Sequence, residues 1–273
     1  MPEPGFEILP PEPPGRPLVV HVPHAGTRIP SDVRTGLVLD EAGLVEELRR
    51  MTDHRTDVLA AGTAAVGATR FVNRLSRLVV DPERFLDPDL EEMEEVGMGA
   101  VYTATSGRAV LRRPDPAERE RLLDAWFRPY HAAFTALLGR HLDTYGRVVV
   151  VDVHSYPSVA LPYERHAAAA RPPLCVGTHP VHTPSAVRDV VADLAAGAGL
   201  EVAFDAPFAG TFVPTSHLDD RRVVSVMLEI RRDTYLDETT ATPHDGESRI
   251  AAFVTDVADA LGDLGGVAAT TRR

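Results

Sequence analysis

Two hydrophobic periods alternate along this chain. Short runs of β-branched and aliphatic residues give way to stretches in which apolar residues return every three or four positions. Pro17-Leu-Val-Val-His-Val22 is such a run; it ends at Pro23 and reads as a buried strand entering a loop. Asp40–Met51 has helical period, with Leu44, Val45 and Leu48 at helical spacing and Asp40 as N-cap, and a second helix is expected from Thr52 to about Ala65. A β stretch around Arg70–Val80 ends in Asp81-Pro82. Between Glu83 and Arg113 the period disappears, and the acidic run Glu91–Glu95 is followed by Gly97-Met-Gly99 and Ser106-Gly107. A loop of this length is either a lid or binding segment, or a mobile excursion.

From Asp115 to about Tyr145, Leu122, Leu123, Trp126, Phe127, Tyr130, Phe134, Leu137 and Leu138 mark a long amphipathic helix that Pro129 should kink. Arg147-Val-Val-Val-Val-Asp-Val153 is the strongest strand, apolar on both faces and so central in a covered sheet. Further strands are expected near Leu174–Gly177, Glu201–Phe204 and Arg222–Ile230, with helices near Pro184–Ala196 and Glu247–Leu261. This alternation predicts an α/β fold, a three-layer αβα sandwich with a mixed, mostly parallel sheet. Residues 1–16 carry six prolines and read as an extended tail or surface strap, leaving residues 17–273 as one domain.

Composition narrows the class. Across 273 residues, 28 Lys+Arg against 40 Asp+Glu give a net charge of −12, which argues against a nucleic-acid surface. No apolar run reaches the ~20 residues of a membrane span. The start lacks a signal-peptide pattern, and Cys175 is the single cysteine, so a reducing cytoplasm is expected. Cys175 lies in an apolar strand and reads as a small core residue.

In open α/β sheets ligands bind at the carboxyl ends of strands. Three strand ends here carry polar residues: Pro23-His24-Ala25-Gly26-Thr27, Asp152-Val153-His154-Ser155, and Glu229 within Val223–Ile230. A carboxylate in a buried strand is either paired, with Arg231 or Arg232 in reach by sequence, or used in a site. Two histidines with a carboxylate match the ligand composition of catalytic zinc sites, although with 11 histidines in the chain an isolated strand-end histidine is more often structural. There is no HExxH, no CxxC and no phosphate-binding glycine loop.

Taken in order, Pro23-His-Ala-Gly-Thr-Arg-Ile-Pro30, Thr52-Asp53, Ser76-Arg-Leu-Val-Val-Asp-Pro-Glu-Arg84, Arg128-Pro-Tyr-His131, Asp152-Val-His-Ser155 and Leu228-Glu229 resemble the N-formylglutamate amidohydrolase family over nearly the whole chain. The resemblance implies a fold like that of the zinc carboxypeptidases. It also implies one zinc ion held by His24, His154 and Asp53, with Asp57 the second choice to Asp53, and His54 a poorer one. Asp53 is expected at a helix N-terminus, which would favour its ionised form. Asp152, on the strand face of His154, would support an imidazole N–H. Glu229 resembles the general base that takes a proton from the water the metal activates. Arg77 and Arg84 would hold substrate carboxylates, with pairing to Asp81, Glu83 or the 91–95 run as the structural alternative. His131 could stabilise an oxyanion, and Ser155, Gly210 and Thr211, with His217 nearby, would line the substrate site. The acidic Glu83 stands where the family more often has asparagine. The implied substrate is a small anionic acyl amino acid, N-formyl-L-glutamate by family role.

Overall fold

A computed structural model of the chain describes residues 4–87 and 90–267. Strands β1 (Phe6–Leu9), β2 (Leu18–Val22), β3 (Thr69–Asn73), β4 (Val148–Tyr156), β5 (Leu174–Gly177), β6 (Val202–Phe204) and β7 (Val223–Arg231) form one sheet in the order β1-β3-β2-β4-β7-β5-β6. Neighbours β3, β2, β4 and β7 run parallel, as do β5 and β6; β1 meets β3 and β5 meets β7 antiparallel. The sheet is therefore mixed and mostly parallel, as the alternation of elements predicts. Its helices are α1 (Ser31–Arg34), α2 (Glu41–Met51), α3 (Thr56–Leu59), α4 (Pro116–Leu122), α5 (Arg128–Tyr145), α6 (Ser185–Gly197) and α7 (Gly246–Val267).

Every residue of β4 is buried, because helices cover both faces of the sheet. Val149, Val151 and Val153 pack with Phe253, Val254 and Val257 of α7 and Val187 and Val191 of α6, whereas Val148 and Val150 pack with Phe134, Leu137 and Leu138 of α5. Side chains alternate along a strand, so the α5 face of β4 reads Val148, Val150, Asp152, His154. That face is apolar at its amino end and polar at its carboxyl end. Register extends the polar end sideways, since Asp152 lies beside His21 of β2 and His154 beside Glu229 of β7.

Several boundaries differ from the sequence pattern, each for a local reason. Phe6–Leu9 is extended, as expected of a strap, but it pairs with β3 as the edge strand of the sheet. The stretch 70–80 is strand only to Asn73, whose side chain donates to the Pro23 carbonyl at 2.8 Å and accepts from the Leu75 N–H at 3.1 Å, turning the chain out of the ladder. Thr52-Asp53 does not open a helix: α2 ends at Met51, Arg55 sits at φ 63°, and α3 starts only at Thr56, followed by a 3₁₀ segment at Ala61–Val66. The long helix is interrupted by a π turn, Leu123–Phe127, which ends two residues before Pro129. Asp40 caps α2 as expected, accepting from the Gly43 N–H at 2.8 Å.

The 83–113 region has almost no regular structure, yet it builds a core of its own. Leu78, Met98, Tyr102 and Leu111 are fully buried with Leu37, Leu44 and Met51. The Glu47 carboxylate fastens this region to α2 by accepting from the Ser106 N–H at 2.6 Å and hydroxyl at 2.8 Å.

Candidate metal centre and active site

The polar ends of β2, β4 and β7 open into a cavity of about 1280 Å³. His24 stands on the loop after β2. That loop lies tight against Arg74-Leu75, where a Cβ on Gly26 would come within 2.4 Å of the Arg74 carbonyl carbon, so only glycine fits. On the other flank the loop bearing Gly210, itself at φ +89°, crosses β5 so closely that a Cβ on Gly177 would come within 2.0 Å of the Gly210 oxygen.

His24, Asp53 and His154, all buried, turn three donor atoms toward one point. His24 Nδ1 lies 3.3 Å from His154 Nδ1, and Asp53 Oδ2 lies 3.2 Å from the latter and 3.7 Å from the former. Ligand bonds of about 2.0–2.2 Å at a tetrahedral centre place donors roughly 3.3–3.6 Å apart, so the spacing suits a zinc-sized ion. Proton accounting supports the same reading. His24 Nε2–H donates to Asp81 Oδ1 at 2.9 Å, and His154 Nε2 faces Asp152 Oδ1 at 3.1 Å and Glu83 Oε2 at 3.2 Å. With that proton on Nε2, His24 turns its Nδ1 lone pair toward His154 Nδ1, whose own partner is Asp53 Oδ2 at 3.2 Å, and a shared cation would take the place of that contact.

The electrostatics agree. Burial, with Arg77 adding to it, acts to lower the His24 pKa, but Asp81 and Asp53 outweigh both and raise it. Burial likewise disfavours His154 as a cation, yet Glu83, Asp152 and Asp53 hold it well above the ordinary imidazole range. Against burial, His154 and His24 hold Asp53, and Arg77, His24 and Arg84 hold Asp81, well below the usual carboxylate range. The surrounding carboxylates thus favour positive charge at this cluster.

Asp53 is positioned by contacts the sequence pattern does not reveal. Its Oδ1 accepts from Arg232 Nη2 at 3.2 Å and its Oδ2 from the Ser155 N–H at 3.2 Å. Arg232 is itself buried, donating also to the Arg50 carbonyl at 2.7 Å and to the Ser155 hydroxyl at 3.2 Å. Ionisation of Asp53 rests on the imidazoles of His154 and His24 and on the Arg77 guanidinium, not on a helix N-terminus. Asp57 is not part of the cluster; its carboxylate is a third exposed and pairs with Arg74 at 2.9 Å. His54 turns away to the Arg49 carbonyl at 2.8 Å.

Glu229 lines the cavity, and neither Arg231, which pairs with Asp233 at 2.7 Å, nor Arg232 is its partner. Its Oε2 is buried and makes no hydrogen bond. Burial pushes its carboxyl up to about 7, with His154 opposing and Asp53 adding to the rise. Arg77 donates to Asp81 at 2.8 Å and to the Tyr102 hydroxyl at 3.0 Å, and Arg84 Nε lies 3.4 Å from Asp81. Both line the cavity, so pairing and substrate contact are compatible.

His131 stacks on Phe127 with ring centroids 4.1 Å apart, and its Nε2–H donates to the Pro82 carbonyl at 2.7 Å. Burial lowers its pKa to about 4. As a neutral ring with that proton committed, it props the Asp81–Arg84 turn and has no second N–H to offer an oxyanion. Ser155 uses its N–H and hydroxyl on Asp53 and Arg232, although it also borders the cavity. Gly210 and Thr211 line the cavity, and Thr211 is tied to Ser225 by a hydroxyl contact of 2.7 Å. His217 is not among the lining residues. Cys175 is buried, its thiol donating to the Phe208 carbonyl at 3.2 Å, and burial pushes its pKa up to about 11, as befits a core residue.

Together these features define an α/β protein with a candidate metal centre of two imidazoles and a carboxylate at the carboxyl edge of its sheet. The chain belongs to the N-formylglutamate amidohydrolase family, whose model matches residues 16–236. It is 30% identical to the N-formylglutamate deformylase of Pseudomonas aeruginosa over 81% of this chain and 83% of that protein. It is 28% identical to that of Pseudomonas putida, over 82% and 83%. The crystal structure of N-formylglutamate amidohydrolase from Ralstonia eutropha superposes with a TM-score of 0.83 at 25% identity, covering 95% of this chain and 98% of that one. No helix among the described residues is long and apolar enough to cross a membrane.

Proposed function

We propose that this protein is a zinc-dependent amidohydrolase that cleaves an N-formyl, or more broadly N-acyl, amino acid to a carboxylic acid and a free amine. N-formyl-L-glutamate, giving formate and L-glutamate as in histidine breakdown, is the substrate suggested by the relatives' names. The observation that carries the reading is the convergence of His24 Nδ1, His154 Nδ1 and Asp53 Oδ2 beside an unpartnered Glu229 oxygen in one cavity. With Cys175 buried and unpaired, a reducing cytoplasm suits it.

His24, Asp53 and His154 would hold the metal, with Asp81 and Asp152 supporting the imidazoles from behind. When bound, zinc supplies a Lewis acid that polarises the acyl carbonyl and makes water easier to deprotonate. Glu229 then takes a proton from the attacking water as its oxygen bonds to the acyl carbon. The same carboxyl returns that proton to the nitrogen as the C–N bond breaks, so that water is added across the amide. In the metal-free protein burial already draws this carboxyl toward neutrality, the range suited to both transfers. Arg77 and Arg84 would orient the substrate through its carboxylate, and Arg232 keeps Asp53 aligned.

The test is formate release from N-formyl-L-glutamate and a panel of other N-acyl amino acids by zinc-loaded protein, beside the Glu229→Gln variant. Turnover of at least one member, falling about 10²–10⁴-fold in the variant while zinc is retained, is the expected result. Stoichiometric zinc without turnover of any member would contradict the reading.

A further inference from the structure

Behind the three donors of the candidate metal centre lies a further layer of polar groups. His21 belongs to the apolar strand β2, on the face that carries Val19, and is fully buried, so both of its ring nitrogens need partners. Register places it beside Asp152. Its Nδ1 lies 2.8 Å from Asp152 Oδ1, and its Nε2 lies 2.5 Å from the hydroxyl of Tyr130 on α5. The ring is stacked between Phe134 and Phe212, with centroids 4.6 and 5.2 Å away, which fixes its plane.

These neighbours decide where the protons lie. A bare Nδ1 would turn a lone pair against a carboxylate oxygen, so Nδ1 carries a proton and donates it to Asp152. Burial, with Glu83 and Asp152 adding to it, keeps the Tyr130 phenol well above its ordinary range, and its O–H donates to Nε2. A directed chain thus runs from Tyr130 through His21 to Asp152. Asp152 Oδ2 accepts from the Phe212 N–H at 3.3 Å, so both carboxylate oxygens are held. Asp152 Oδ1 in turn lies 3.1 Å from His154 Nε2, the side of that ring opposite the nitrogen that faces His24 and Asp53. His21, Glu83 and Asp152 also have the composition of a second cation site, with donor atoms within 4.8 Å of one another. A protonated Nδ1 has no lone pair for a metal, so the arrangement favours a support for the first site over a second ion.

We infer that His21 and Tyr130 are positioning residues that hold Asp152 behind His154 and so keep the His154 imidazole turned with Nδ1 toward the metal. A carboxylate behind a ligating imidazole fixes its ring orientation, and this pair fixes the carboxylate. The inference rests on the metal centre of the hydrolase reading, but it is tested on metal affinity, without turnover. Zinc affinity is measured by competition with a chelator, with circular dichroism confirming that each protein is folded. His21→Phe keeps an aromatic ring between Phe134 and Phe212 and removes the donor to Asp152; His21→Asn keeps an N–H near the place of Nδ1 and gives up the stack. His21→Phe is expected to weaken zinc by about tenfold, the lower end for groups that support a metal ligand, and Tyr130→Phe by less. His21→Asn should regain most of the loss, whereas a packing role would rank it below His21→Phe. If His21→Phe does not fold, Tyr130→Phe decides: weaker zinc supports the inference and unchanged affinity overturns it. Wild-type affinity in His21→Phe, or weaker zinc in His21→Asn than in His21→Phe, would overturn the inference and leave the metal centre standing; a wild type that binds no zinc would remove both.

Discussion

The two halves of β4 share one α5-facing row of side chains but do different work. Val148 and Val150 are fully buried against α5, each contributing on the order of 1.5–3 kcal/mol by leaving water. Asp152 and His154, next in the same row, are as thoroughly buried and stabilise nothing unless their polar atoms are met. Asp152 accepts from His21 at 2.8 Å and His154 Nδ1 meets Asp53 at 3.2 Å, while His154 Nε2 lies near Asp152 and Glu83 without a hydrogen bond. The same division runs across β7, where Leu228 points into the core and Glu229, the next residue, into the cavity. Fold and site are thus separated by face and by position along a strand, not by element.

Breaking the site side should cost function without unfolding the protein, and breaking the core side should do the reverse. His154→Ala or His24→Ala is expected to abolish both zinc binding and hydrolysis, read by elemental analysis and formate release. Glu229→Gln should keep zinc and lose about 10²–10⁴-fold in kcat. Arg232→Met, which frees Asp53 Oδ1, should weaken zinc by about 10–100-fold in a chelator competition, while a fold-only role would leave affinity unchanged. Leu228→Ala, one residue from the proposed base, should cost about 2–5 kcal/mol in denaturant with normal zinc content in the folded fraction. Asp57→Ala should change stability by no more than about 0.5 kcal/mol and leave zinc in place, separating it from Asp53.

A pH comparison sharpens the contrast at Glu229. In metal-free protein its folded pKa of about 7 lies above the unfolded value, so the folded state binds the extra proton. Its contribution is fully present below about pH 4.5 and is lost as pH rises through 7. Metal-free Glu229→Gln, which cannot ionise, should therefore gain stability relative to wild type between those values, by roughly 1–3 kcal/mol at pH 8. A difference that does not vary with pH would mean the carboxyl is not buried in the charged state.

Much of this was legible in the sequence because strands buried on both faces are continuous apolar runs, and a polar residue ending such a run is conspicuous. His24, His154 and Glu229 stand out on that ground, and Asp53 followed from the family resemblance. What escaped notice depends on contacts distant in sequence. Arg232 reaches Asp53, 179 residues away, so sequence proximity suggested only Glu229 as its partner. Asp81 and Glu83 lie in a stretch without period, where nothing local says that one supports His24 and the other faces three imidazoles. The edge strand Phe6–Leu9 was masked by flanking prolines, and its four residues, with Glu7 and Ile8 both exposed, are too few to show a period. The π turn keeps the apolar face of its helix continuous, so periodicity could not reveal it.

The central claim is that the imidazoles of His24 and His154, with Asp53, form one metal centre at the carboxyl end of the sheet. Its most direct test is elemental analysis of wild type and His154→Ala after zinc-supplemented purification, with circular dichroism confirming that both are folded. About one zinc per wild-type chain and none in the variant is the predicted result. A folded wild type without metal, or a variant that retains it, would contradict the account.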